Sequence, residues 1–164
     1  MILGRRLFQL LCALTILSIM PGAAHSVNSL EPLSSPGPWS GVSGLVAYDG
    51  RIWFANSVKF VDHNSADIYS YDPCSGKTRY ERHLFSQDAG QATVANGLLY
   101  WPFEDSRFST SHGEYAVTND SEWQWRILPD GEVFHVHAMI ALKGVLFAAT
   151  GAWRGGLQRS QDGG

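Results

Sequence analysis

From Val46 onward, short apolar runs alternate with compact polar turns, and the runs return at a fixed interval. VAYDGRIWFA (46–55), TVANGLLYWP (93–102) and IALKGVLFAA (140–149) align column by column. Gly50, Gly97 and Gly144 lie 47 residues apart, as do Ile52, Leu99 and Leu146, and Trp53, Tyr100 and Phe147. Three columns in one register define an internal repeat. Each copy predicts a β-hairpin, an apolar run leading into YDGR, ANGL or LKGV and a second apolar-aromatic run leaving it. Asp-Gly and Asn-Gly suit a two-residue turn because both residue types tolerate the positive φ that primed turns require. The runs RIWFA and LLYWP are apolar almost throughout, the pattern of strands buried on both faces.

A second hairpin follows in each unit. It is DIYSYDPCSGKTRYERHL in the first and GEYAVTNDSEWQWRIL in the second, and it begins as GGLQRSQDGG in the third. No helical period interrupts the strands. Four-stranded units returning every 40–50 residues are the signature of β-propeller blades; a β-sandwich would require no fixed period. The expected fold is therefore all-β, an incomplete propeller of about two and a half blades: residues 44–87, 88–134 and 135–164, the last incomplete.

Ahead of the repeat, MILGRR carries Arg5 and Arg6, an apolar run follows from Leu7 to Met20, and PGAAHS supplies small residues. A basic start, a short apolar stretch and small residues predict a cleaved signal peptide over 1–26. The apolar run is short of the ~20 residues that a membrane span needs. Residues 27–43, rich in Ser, Pro and Gly, read as a linker or lead-in segment. The expected location is secreted or periplasmic. Loss of Arg5 and Arg6 takes twelve basic residues to ten against fifteen acidic ones, a formal charge of −5. That balance disfavours nucleic acid, which recruits a basic surface. Cys74 is the one cysteine outside the leader, so no internal disulfide is expected and the thiol reads as a bystander in a turn.

The second turn of each unit repeats as well. Ser70-Tyr71-Asp72, Thr118-Asn119-Asp120 and Ser160-Gln161-Asp162 share the form Ser/Thr-x-Asp, Trp125 follows Thr118 by seven residues, and Gly164 follows Asp162 by two. At these residues the chain resembles the Asp-box, or bacterial neuraminidase repeat, S-x-D-x-G-x-T-W. SQDGG matches its first five positions, TNDSEWQW has Glu122 where Gly is expected, and SYDPCSGKT is a longer variant. The resemblance implies a propeller of the sialidase-like superfamily. It assigns Ser70, Asp72, Thr118, Asp120, Trp125, Ser160, Asp162 and Gly164 to turn structure and not to catalysis. Short Asp or Ser side chains accept hydrogen bonds from backbone N–H groups just ahead and close such turns. Closed propellers use 4–8 blades, so the chain is expected to be the N-terminal fragment of a longer one, or else several copies complete a ring together.

Chemistry is expected on the face opposite the tight turns, where the longer loops NSVKFVDHNSA (56–66), FEDSRFSTSHG (103–113) and TGAWRGG (150–156) gather. Candidate ligand contacts there are Asp62, His63, Phe103, Asp105, Arg107, Trp153, Arg154, His135 and His137, with Asn64, Glu104 and His112 beside them. His135 and His137 stand two apart on a predicted inner strand, so both face one way. Two imidazoles can chelate zinc or copper, but a site needs a third and usually a fourth ligand. None stands at an obvious spacing, so no metal or cofactor is assigned. The sialidase resemblance would imply an arginine triad, a Tyr–Glu pair and an Arg-Ile-Pro signature near the first strand. No such signature is found there, and Arg126-Ile127-Leu128-Pro129 falls on a fourth strand instead. No catalytic residue is assigned. The expected function is an exported, non-catalytic glycan- or protein-recognition module. The alternative is the N-terminal part of a sialidase-like glycoside hydrolase with its catalytic residues mostly downstream.

Overall fold

The computed structural model describes residues 32–33, 37–58, 65–106, 112–129 and 133–160. These form three antiparallel sheets in which sequence neighbours are spatial neighbours. The first contains β1 (Gly41–Tyr48), β2 (Arg51–Ser57), β3 (Ala66–Asp72) and β4 (Lys77–Leu84). The second contains β5 (Thr93–Ala95), β6 (Leu98–Pro102), β7 (Glu114–Thr118) and β8 (Trp123–Ile127). The third contains β9 (Val133–Leu142), β10 (Val145–Ala152) and β11 (Gly156–Ser160). The all-β expectation holds. The leader, Asp62, His63, Asn64, Arg107, Asp162 and Gly164 lie outside the described residues.

The first hairpin of every sheet closes on two residues of positive φ: Asp49-Gly50 (47°, 71°), Asn96-Gly97 (50°, 75°) and Lys143-Gly144 (52°, 77°). This is the backbone of a type I′ turn, whose twist matches that of the flanking strands. The register repeats with it. Val42 pairs with Asn56, Ala89 with Phe103 and Val136 with Thr150; Val46 pairs with Trp53, Thr93 with Tyr100 and Ile140 with Phe147. Each step is 47 residues, so the sequence period is a period of strand pairing.

The second hairpins do not keep that period. Thr118 pairs with Leu99 and Ser160 with Leu146, whereas Ser70 pairs with Trp53, one residue past Ile52, the counterpart of Leu99. One residue of slip moves a side chain to the other face of a sheet. Ser70 therefore faces the second sheet, while its sequence counterpart Thr118 faces the first.

The sheets stack in chain order, and a separate core fills each gap. Between the first and second lie Trp53, Ala55, Ile68, Leu84, Leu99 and Trp101, with Phe103 and Ala116. Between the second and third lie Tyr100, Tyr115, Val117, Val136, Met139 and Leu146. Alternate residues of β6 and β7 thus enter opposite cores, which is why LLYWP carries no polar face. Strands β1, β5 and β9, each an edge strand of its sheet, run side by side, β1 against β5 and β5 against β9. There β9 is also tied by backbone: Val136 N–H donates to Phe103 O (2.8 Å), Gln91 N–H to His137 O (3.3 Å) and Met139 N–H to Gln91 O (3.3 Å). Gly90 permits this approach, since a Cβ there would stand 2.1 Å from the His137 carbonyl oxygen.

The lead-in segment is more ordered than its composition suggests. Strand β1 starts at Gly41, inside the stretch read as linker. Asn56, fully buried, accepts from Trp39 N–H (3.0 Å) and donates to the carbonyls of Trp39 (2.8 Å) and Gly41 (2.9 Å). One amide side chain thereby pins residues 39–41 across the outer face of the first sheet.

Candidate functional site

The antiparallel course places the three tight turns at one end of the sheets and the longer connections at the other. At the loop end, the segments 86–91 and 103–106 lie side by side, bridged at Ser86–Ser106 and Ala89–Phe103. Asp88 organises this floor. Its Oδ1 accepts from Ser57 Oγ (2.6 Å), Ser43 Oγ (3.0 Å) and Ala89 N–H (2.9 Å). Its carbonyl accepts from Ser86 Oγ (2.7 Å) and Glu104 N–H (3.1 Å). Beside it, the buried Ser106 hydroxyl donates to the buried Glu114 carboxylate. A carboxylate that collects several donors fixes the loops around it, because an unmet buried acceptor is costly. Asp88 has no counterpart in the repeat, where Gly41 and His135 occupy its column, so periodicity could not single it out.

On this floor stand Glu104 and the two histidines. His135 Nδ1 meets the Glu104 backbone carbonyl, and Glu104 Oε1 lies 3.9 Å from the same nitrogen. The rings of His135 and His137 stack with centroids 5.5 Å apart, on one face of β9 as the alternation predicts. His137 lies over Gly151, where a Cβ would come within 2.5 Å of Nε2. Val133, at the start of β9, bridges to His112 on one side and pairs with Ala152 on the other. The end of β10, with Trp153 and Arg154 following, is thereby brought to the same end as the β6–β7 connection. Trp153 is 86% exposed, the most exposed large apolar side chain described. Asp105 is half-buried, and its carbonyl accepts from Gln87 N–H (3.0 Å).

Phe103 does not stand on the loop surface. It was expected to offer its ring to a ligand, but it is fully buried in the core between the first and second sheets. It follows Pro102 in a segment whose alternate residues already enter the two cores, and its N–H and carbonyl are taken by Glu114 O and Val136 N–H. Among the described residues, no group of three or more His, Cys, Asp and Glu converges as a metal site. A cavity of about 480 Å³ lies elsewhere, between the second and third sheets, with Tyr115, Ile127, Leu146 and Gln158 among its walls. Its one charged lining residue is Arg159, so volume alone does not pick out the polar cluster.

At the turn end, the two described Asp positions act differently. Asp72 caps its own turn: Oδ1 accepts from Cys74 N–H (2.8 Å) and Oδ2 from Ser75 Oγ (2.8 Å). The Ser75 hydroxyl, then the Cys74 N–H, hold its carboxyl below the usual carboxylate range. Asp120 caps nothing. Thr118 Oγ1 and Asn119 Oδ1 close that turn, accepting from Asp120 N–H (3.0 Å) and Glu122 N–H (2.8 Å) respectively. The Asp120 carboxylate reaches the neighbouring sheet, at 2.5 Å from Arg51 Nη2 and 3.1 Å from Arg79 Nη2. Both arginines also pair with the largely buried Glu81 at 2.8 Å, and Arg51 donates to Ser70 Oγ (3.0 Å). Arg51 further lies 4.7 Å over the Trp53 ring, and Arg82 lies 5.1 Å over that of Trp125. This lattice joins the first sheet to the second and is structural. Cys74 is disulfide-bonded, not the unpaired turn thiol expected; Cys12, the other cysteine of the chain, lies outside the described residues.

No helix among the described residues is long and apolar enough to cross a membrane. Comparison of the sequence with models of known protein families yields no match, and comparison with curated proteins yields none either.

Proposed function

We propose that the chain is an exported recognition module of the β-propeller type with Asp-box-like turns, and that its loop end binds a glycan without chemical turnover. The observation that carries this reading is Trp153, a fully presented indole at the same end as the His135–His137–Glu104 cluster. An aromatic platform flanked by hydrogen-bonding groups suits a sugar ring, whose C–H face stacks while its hydroxyls are paired. Aromatic and arginine anchors carry most of the free energy at such surfaces. The segments that carry Glu104 are cross-linked by Asp88, so little is spent on ordering them when ligand arrives.

The full chain applied to a glycan array should retain a defined set of sugars. Trp153→Ala should weaken that binding by about tenfold or more, the scale of losing an anchor residue, with the melting temperature unchanged. Unchanged affinity would remove Trp153 and the loop-end reading with it. Retention of a protein ligand in place of any glycan would move the module to protein recognition. Steady hydrolysis of a chromogenic sialoside would replace recognition by the glycoside hydrolase alternative.

A further inference from the structure

Strand β9 does not pair evenly with β10. Ala138 pairs with Ala149, Val136 with Thr150, His135 with Gly151 and Val133 with Ala152, so His137 and Phe134 are bulged residues without cross-strand partners. A bulge re-aims the side chains beside it. Here it lets Val136 and Met139, three apart, both enter the core, and the His137 ring comes to lie over Gly151. A Cβ at Gly151 would stand 2.5 Å from His137 Nε2 but 3.3 and 3.6 Å from the ring carbons Cδ2 and Cε1. The nitrogen itself therefore faces the space that glycine leaves. A metal–imidazole bond is about 2.0–2.1 Å long, so that space lies where an ion bound to Nε2 would sit. His135 opposes Gly151 directly across the strand pair, and its ring is 5.5 Å from that of His137.

Both histidines are held in place. The His137 carbonyl accepts from Gln91 N–H (3.3 Å), which fixes the backbone beneath its ring. His135 Nδ1 meets the Glu104 carbonyl, which can only accept, so Nδ1 carries a proton and Nε2 of the neutral ring keeps its lone pair. The Glu104 carboxylate stands 3.9 Å from the same Nδ1. A ring N–H tied to a carbonyl or carboxylate is the outer partner of a metal-ligating histidine: it sets tautomer and ring orientation and strengthens the other nitrogen as a ligand. The His137 ring stacks on His135 and makes no side-chain hydrogen bond among the described residues. Neither Nε2 is committed to another group of the described chain.

We infer that His135 and His137, over the cradle left by Gly151, form an open two-histidine site for a divalent transition metal, Cu²⁺ before Zn²⁺. Imidazole suits these ions and Cu²⁺ heads the affinity order, whereas Ca²⁺ and Mg²⁺ take oxygen ligands. Two protein ligands leave the other positions to water, so the ion is exchangeable and not a structural centre. The inference does not rest on glycan binding. It is tested on the full 164-residue chain, stripped by chelator and held at one neutral pH. Cu²⁺ alone should bind most tightly as one equivalent, and pulsed electron paramagnetic resonance should show two imidazole nitrogens. His135→Ala and His137→Ala should each leave one imidazole and lose affinity by about tenfold or more. Gly151→Ala keeps both histidines but places a Cβ against Nε2, and should weaken binding on the same scale with the circular-dichroism spectrum unchanged. Full affinity in Gly151→Ala overturns the placement over β10. A Cu²⁺ signal that survives in the double variant His135→Ala/His137→Ala puts the ion on another of the six histidines and overturns the site. Nitrogen NMR of the unmodified chain gives a readout independent of variant folding. The Nε2 resonances of His135 and His137 should shift together on adding Zn²⁺ and stay in place on adding Ca²⁺. No shift with Zn²⁺, or an equal shift with Ca²⁺, refutes the inference.

Discussion

Asp72 and Asp120 occupy the same place in a three-residue pattern, yet one closes a turn and the other crosses to the next sheet. The difference follows from what else can accept. Asn119 and Thr118 already satisfy the N–H groups of the second turn, which leaves Asp120 available to Arg51 and Arg79. In the first turn Asp72 has no such substitute. Its carboxyl lies below the unfolded value of about 3.9, so its contribution to stability is present above that pH and is lost as pH falls through the folded value. An NMR titration of the Asp72 carboxyl should give a midpoint below 3.9, and Ser75→Ala, which removes the leading cause, should move the midpoint upward. At the third tight turn, Lys143 holds φ at 52° with a side chain poorly suited to it. The left-handed region costs most residues about 1 kcal/mol and Asn less. Lys143→Asn should therefore raise stability by ~0.5–1 kcal/mol in a denaturant titration.

At the scale of elements, the hairpin is the reliable unit and the pair of hairpins is not. A two-residue turn with positive φ at both positions dictates the register of its strands, so Gly50, Gly97 and Gly144 impose one alignment three times. The connections from β2 to β3, β6 to β7 and β10 to β11 differ in length, and register across them is settled by which side chains reach the cores. This is why Ser70 slips by one residue against Thr118 although the letters align. The ion lattice between the first two sheets depends on that slip, since it turns Ser70 toward Arg51. Asp120→Ala leaves Arg51 and Arg79 sharing Glu81 alone and should cost about 1–2 kcal/mol, between the values for exposed and buried pairs. A double-mutant cycle with Arg51→Ala should return a coupling of ~0.5–2 kcal/mol. A coupling near zero would mean that the two side chains stabilise the sheets separately.

For the whole molecule, stability rests on two cores that share the middle sheet. Trp101 is fully buried where that sheet meets the first, so Trp101→Ala should cost about 3–5 kcal/mol and loosen the first interface before the second. Native-state hydrogen exchange would show this as earlier exchange in β1–β4 than in β9–β10. The loop-end surface belongs to this scale as well. Trp153 and the histidines were legible as candidates because aromatic and polar residues stand in long connections. Phe103 is not legible as a core residue because the same connection also carries polar residues, and the letters do not say where the strand's alternation stops. Asp88 is not legible because nothing in its spacing sets it apart; only the three donors to its carboxylate do.

The amino-acid pattern by itself determined the β-class, the 47-residue period, the tight turns and the double-sided burial of the central strands. These are local consequences: alternation decides which way a side chain points, and Gly with Asn or Asp decides where the chain reverses. The tertiary structure decided what depends on neighbours distant in sequence, namely the register of the second hairpins, the transfer of Asp120 from its own turn to the next sheet, the burial of Phe103 and the polar floor around Asp88. It also left Ile140, Leu142 and Leu157 exposed among the described residues, because whether an apolar residue is covered is a property of what packs against it and not of the residue.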